Sequence, residues 1–240
     1  MSESGTTPIL QSCEHPMTEV SQGPSMGSRW RRGVGCAIVI VVVVITGTWF
    51  VGKVRDAREA ARSLQCMSRL NQMHLAFHLY YDTYGCFPPA YVADADGNPM
   101  HSWRVLILPF IDSAHLYEKY RFDEPWNGPN NQQLANRIDP WFRCVNNDHE
   151  RGSSLTDYVV VMGEDTLFPG ASSVTLDDIT DGPENTILLV EIADSDIHWM
   201  EPRDLDVDTM SFTVNDPLRP SISGPHPNGP AVVFVDRLTA

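Results

Sequence analysis

The chain has 240 residues, 42% of them hydrophobic, which excludes wholesale disorder and leaves room for one domain with a real core rather than two. The net charge is −14, and residues 81–240 carry the imbalance, with nine basic against 26 acidic side chains. A head this acidic repels nucleic-acid phosphate and anionic lipid alike, so no nucleic-acid partner is expected.

Residues 1–32 open the chain. The first 28 are rich in Ser, Thr, Gly, Pro and Glu without apolar periodicity, and the segment is expected to be a disordered cytoplasmic tail. Residues 33–52 carry no charge and are dominated by Val and Ile. As helix they span about 30 Å, the thickness of a bilayer core, and a transmembrane helix is expected there. Trp30 and Trp49 stand near its ends, where indole rings prefer the interface. Arg29, Arg31 and Arg32 flank one side and Lys53, Arg55, Arg58 and Arg62 the other, so positive charge alone does not orient the span.

From Lys53 to Tyr84 the pattern is helical. Ala57, Ala61 and Leu64 begin a stripe that Leu70, Met73, Phe77, Tyr80 and Tyr84 continue at spacings of three and four, and Gly85, Pro88 and Pro89 stop it. No breaker separates this stem (53–84) from the span, so one continuous helix is expected. The head, residues 85–240, reads as short elements. Trp103–Phe110 and Ala114–Tyr120 suggest short helices; Asp157–Gly163, Thr186–Glu191 and Ala231–Asp236 suggest strands. Asp96-Gly97, Asn127-Gly128-Pro129, Asp181-Gly182-Pro183 and Asn228-Gly229-Pro230 mark turns between them. A long helix followed by strands without βαβ alternation predicts an α+β fold, with an antiparallel sheet packed on the helix.

Several segments resemble a large bacterial family of pilin-like proteins of unknown function. Its members carry an N-terminal membrane helix and a C-terminal signature of His, nine residues, Asp, Gly. The run from Ala57 to Cys66 looks like the family's A-R-E-A-A-R-x-x-Q-C. Tyr84 to Ala90, Ser102 to Phe110, Phe122 to Asn127, Phe142 to Cys144, Asp178 to Ile187 and Trp199 to Leu205 fit further motifs in order. His226 and Asp236 have the signature's spacing, with Arg237 in place of Gly. The prepilin signal G-F-T-L-x-E has no counterpart, since the span opens Gly33-Val34-Gly35-Cys36-Ala37, and the chain stops at Ala240, short of the family's usual final strand. The resemblance implies a type IV pilin-like fold, anchored in the bacterial cytoplasmic membrane by a single pass, with the C-terminal domain outside the cytoplasm.

Of the five cysteines, Cys13 falls in the tail and Cys36 in the span, and no C-x-x-C pair exists, which argues against a zinc ribbon or a redox motif. Cys66 and Cys144 are the suspected disulfide, which would close a loop of about 78 residues for about 4 kcal/mol, although sequence does not fix connectivity. Cys144 and His149 are close in sequence, but nothing orients them as a catalytic pair. His74 and His78 share a helix face without a third ligand, and a structural role is favoured. Asp204, Asp206 and Asp208 alternate as a calcium loop begins, yet Thr209 stands where the loop glycine belongs and Asn215 where its glutamate belongs. His226 and Asp236 read more readily as loop and turn residues than as a functional pair.

The sequence therefore assigns no catalytic, cofactor-binding or metal residue, no cofactor, and no enzyme activity. It points to a membrane-anchored cell-envelope protein of the pilin or pseudopilin type, structural or interactive in role. Its expected partners are the lipid bilayer and itself or related proteins through the stem helix. The alternative is a tethered solute- or carbohydrate-binding module, with Trp103, Trp126, Trp141 and Trp199 as candidate sugar platforms.

Overall fold

The computed structural model describes residues 26–138, 140–147, 153–226, 229–236 and 238–239, with side chains from Val39 onward except those of 238 and 239. The chain divides into two units, Met1–Val54 and Arg55–Ala240.

The first helix, α1, runs Met26–Tyr84. It starts earlier than expected, because no proline after Pro24 interrupts it and Arg29, Arg31 and Arg32 are good helix formers. Residues 1–25 of the expected tail lie outside the described residues. So do the side chains of residues 33–38 in the expected span. Among the described residues no helix is long and apolar enough to cross a membrane. Gly85 ends α1 in the left-handed region at φ 76°, and its N–H closes on the Tyr81 carbonyl at 2.7 Å.

Within the second unit, the buried stripe of α1 is Cys66, Leu70, Met73, Ala76 and Phe77. The expected periodicity holds from Leu70 to Phe77. It fails before that, since Ala57, Ala61 and Leu64 are exposed and Leu64 is 71% accessible. Spacing alone does not say where along a helix the partner surface begins.

The head is α+β, as expected. A hairpin of β1 (Tyr91–Ala93) and β2 (Pro99–Ser102) turns at Gly97, where Asp94 Oδ1 accepts the N–H groups of Asp96 and Asn98. Two short helices follow, α2 (Trp103–Leu106) and α3 (Ala114–Tyr117), and Ser102 caps α2 by accepting the Arg104 N–H. The main sheet is antiparallel throughout, in the order β3 (Tyr158–Val159), β5 (Ile187–Glu191), β7 (Val232–Phe234), β8 (Leu238–Thr239). β4 (Val161–Met162) pairs instead, in parallel, with β6 (Leu205–Asp206).

The period of two along the strands divides the core. Tyr158, Val160, Leu189 and Val233 join the stem residues Leu70, Met73 and Phe77 in the main apolar cluster. Val159 and Val190 turn to a smaller cluster with Ile192, Ile197, Leu205 and Met210. The sheet is thus buried on both faces. Phe77 lies 5.0 Å from Trp103 and 5.9 Å from Phe168, centroid to centroid, at the centre of the main cluster.

Candidate functional site

Two polar constellations are buried in the head. One is built from the S-W-R and E-P-R-D segments. Arg104 and Asp204 are fully buried and meet at 2.6 Å between Nη2 and Oδ1. Arg104 also donates from Nη1 to Ser102 Oγ and from Nε and Nη2 to the Tyr158 carbonyl, while Trp103 Nε1–H and the Val160 N–H donate to Asp204. Every charge here is matched, so the arrangement reads as architecture. Of the alternating Asp204, Asp206 and Asp208, the first is held by Arg104, and Asp206 Oδ1 accepts the Asp208 N–H at 2.8 Å as an ordinary turn.

The second constellation gathers chemistry that lies far apart in the chain. Cys66 comes from the buried face of α1 and Cys144 from the loop after a 3-10 turn, Pro140–Phe142. Glu191 is the last residue of β5, opposite Tyr158 in register. His226 comes from the loop leading to β7. The donor atoms of Cys66, Cys144 and His226 all lie within 4.8 Å of one another, the one such group among the described residues. Cys144 Sγ stands 3.3 Å from His226 Nε2, and Glu191 Oε1 stands 3.1 Å from the same nitrogen. His226 Nδ1 faces Ser63 Oγ at 3.2 Å and Asn146 Nδ2 at 3.1 Å.

The surroundings hold the donors in place. The Val145 N–H donates to Cys66 Sγ at 3.2 Å, and the Ala231 N–H to Glu191 Oε2 at 3.1 Å. A Cβ at Gly224 would fall 2.6 Å from Glu191 Oε2 and 2.9 Å from Pro230 Cα, so only glycine lets this loop lie against the carboxylate. Cys66 is 1% exposed, Cys144 3% and Glu191 0%. The hydrogen bond from Cys144 lowers Cys66 to about 5, so Cys66 takes the negative charge of the thiol pair. The same bond, burial and the Glu191 charge push Cys144 far up. Burial raises Glu191 above the usual carboxylate value. Burial raises the Tyr158 hydroxyl, and the charges of Cys66, Cys144 and Glu191 and its approach to Cys66 add to this.

Cys66, Cys86 and Cys144 are free thiols, so the suspected Cys66–Cys144 disulfide is not formed, although the two sulfurs are neighbours as expected. The cluster does not have the geometry of a nucleophile–base–carboxylate relay. Such a relay needs the carboxylate and the nucleophile on opposite ring nitrogens, and here both meet Nε2. His226 and Asp236 are separated: His226 faces Glu191, whereas Asp236 is exposed and its charge is felt by His74. His74 and His78 both place Nε2 on the Val235 carbonyl, at 2.9 and 2.7 Å, and so pin the end of β7 to the stem. His149 lies outside the described residues.

A family model described as "SBP_bac_10: Protein of unknown function (DUF1559)" matches residues 55–216. The chain belongs to this family. The DUF1559 match takes in Cys66, Cys144 and Glu191 but ends before His226. Neither the curated proteins nor the solved structures compared with the chain gave a match.

In this DUF1559 member Trp103 and Trp199 are fully buried, and Trp199 Nε1–H is spent on the Ala135 carbonyl. They cannot serve as an open sugar platform. Trp126 is partly buried and lies 5.3 Å from the His198 ring. The sequence points to Cys66 and Cys144 as a pair and to His226 as part of a spaced signature, but does not single out Glu191. The available signal was an acidic residue closing the apolar run Ile187-Leu188-Leu189-Val190, where a sheet buried on both faces gives a carboxylate no access to water.

Proposed function

We propose that the chain is a membrane-tethered, pilin-like module of the bacterial cell envelope, with a structural or interaction role and no catalytic one. The observation that carries this is the helical stretch Val39–Val51. Val39 to Ile45, Trp49, Phe50 and Val51 are each more than half exposed, on all sides of the helix. A helix of a water-soluble domain is apolar along one stripe, and one apolar all round is solvated by lipid or buried in protein. Lipid is the occupant favoured here, because arginines precede the uncharged run and Lys53 closes it. The acidic head, repelled by anionic headgroups, would stand clear of the bilayer on the outer side. Leu64, Leu75 and Tyr84 remain exposed along the stem and give a surface for lateral association with itself or with related proteins.

Protease treatment of intact spheroplasts tests the topology. External trypsin is expected to remove the head while an antibody to residues 1–25 still detects a membrane-bound remnant. A head that is protected, or that fractionates with soluble cytosolic protein while residues 33–52 are still attached, overturns the reading. A ligand-dependent rise in the melting temperature of the head with soluble glycans would favour the binding-module alternative.

A further inference from the structure

We propose that Cys66, Cys144 and His226, with Glu191 at the fourth position, form a structural zinc site that fastens the stem helix to the sheet. This is independent of the membrane reading, since all four residues belong to the unit Arg55–Ala240.

Three observations carry the proposal. The first is donor spacing. With Zn–S about 2.3 Å and Zn–N and Zn–O about 2.0–2.2 Å, tetrahedral angles place S and N about 3.6 Å apart, N and O about 3.4 Å, and two sulfurs about 3.8 Å. The protein holds Cys144 Sγ 3.3 Å from His226 Nε2 and Glu191 Oε1 3.1 Å from it, with Cys66 Sγ inside the 4.8 Å group. The two edges that meet at His226 Nε2 are slightly shorter than tetrahedral ones, as expected where hydrogen bonds bridge the donors in place of an ion, and Glu191 closes on the three-residue group through His226.

The second is charge. Two cysteines, a glutamate and a histidine converge in a place from which water is nearly excluded. Buried anions are paired or bind metals. A dication would hold both cysteines as thiolates and the glutamate as carboxylate in a coordination sphere of net charge −1. A mixed set of two sulfurs, an imidazole and a carboxylate suits zinc, whereas calcium and magnesium take oxygen ligands.

The third is the outer shell. With Nε2 on the metal, Nδ1 would carry the proton and Ser63 Oγ stands 3.2 Å away to accept it; the Asn146 amide, whose Nδ2 stands 3.1 Å from the same nitrogen while its Oδ1 has no partner among the described residues, would then turn that oxygen toward Nδ1. Val145 N–H supports Cys66 Sγ, and Ala231 N–H holds the second oxygen of Glu191. The buried Tyr158 hydroxyl faces Cys66. A disulfide would satisfy the two sulfurs alone and would leave the convergence of His226 and Glu191 on them without a purpose.

The test uses the full chain, produced in zinc-supplemented cells and purified in detergent without chelator. Elemental analysis is expected to find about one zinc per chain, as a closed structural site binds. Exchange with cobalt(II) should give the intense visible bands of a tetrahedral ion and a thiolate-to-cobalt charge-transfer band. Cys66→Ser, Cys144→Ser and His226→Ala should each lower zinc affinity at least about 100-fold, and Glu191→Gln about 10–100-fold. Cys86→Ser, outside the cluster, should keep full occupancy. The wild-type cobalt spectrum keeps the test decisive if a cysteine variant fails to fold. Absence of both zinc and a cobalt spectrum in the thiol-reduced protein overturns the proposal. So does a Cys66–Cys144 disulfide in the protein as isolated, or a Cys66→Ser variant that retains the metal and its spectrum.

Discussion

Replacing Arg104 by Met tests the buried ion pair directly. The guanidinium is fully enclosed, meets Asp204 at 2.6 Å, and donates to Ser102 Oγ and the Tyr158 carbonyl. Burial works against both charges, pushing Arg104 down and Asp204 up, and their contact opposes this. Met fills much of the arginine's volume, so little of the loss comes from a cavity. What remains is a carboxyl group stripped of its cation, still facing Trp103 Nε1–H and the Val160 N–H. Breaking one side of such a pair costs about 3–5 kcal/mol. For a unit of this size that is a fall in melting temperature of about 6–20 °C. Thermal unfolding followed by the fluorescence of the buried Trp103 and Trp199 measures it. The double variant Arg104→Met with Asp204→Leu should recover a large part of the loss, because no uncompensated charge is left. A single variant within about 1 kcal/mol of the wild type, or a double variant worse than the sum of the singles, would refute the reasoning.

Acid should weaken the unit Arg55–Ala240 through imidazoles that burial keeps neutral. Burial holds His74, His101 and His198 below the ordinary histidine value. The unfolded chain therefore binds protons that the folded one refuses, and stability falls as pH drops from the ordinary imidazole value through the lowered folded values. His101→Gln should flatten this dependence relative to wild type in melts taken across that range, and an unchanged slope would remove His101 from the account. Gly224→Ala should destabilise by about 1–3 kcal/mol, since its Cβ would meet both Glu191 Oε2 and Pro230 Cα. Denaturant midpoints compared with those of Gly47→Ala, where a Cβ meets nothing within 4 Å, check the effect.

The parts of the fold set by local pattern were legible from the residues alone. Leu70, Met73 and Phe77 announce a helix face by spacing, Gly85 announces its end, and the apolar run of β5 announces a strand. The hairpin β1–β2 was visible only as its Asp96-Gly97 turn, because Tyr91–Ala93 and Pro99–Ser102 are too short and mixed to alternate. β6 has two residues and exists because Val160 and Met162 offer it backbone partners. The thiol–imidazole–carboxylate cluster was half legible. Its cysteines stood out as a pair and His226 as part of a spaced signature. His226 meets Glu191 across 35 residues and Cys144 across 82, and only the packed sheet and stem bring them together. The role of Asp204 was hidden for a related reason: alternation is visible in sequence, but the arginine that claims its first member lies 100 residues earlier.

The Val235 carbonyl accepts from two stem histidines, His74 and His78, across separations of 161 and 157 residues, and Val233 beside it completes the main core. The stem leaves the ribosome long before its partner strand does. At about 5–20 residues per second, the interval is about 8–30 s. Throughout that time the apolar stripe from Leu70 to Phe77 has no β7 to cover it. The nascent chain must therefore be shielded during synthesis, and a stalled or shortened product lacking its last segment would expose a sticky helix rather than form a smaller, self-sufficient domain.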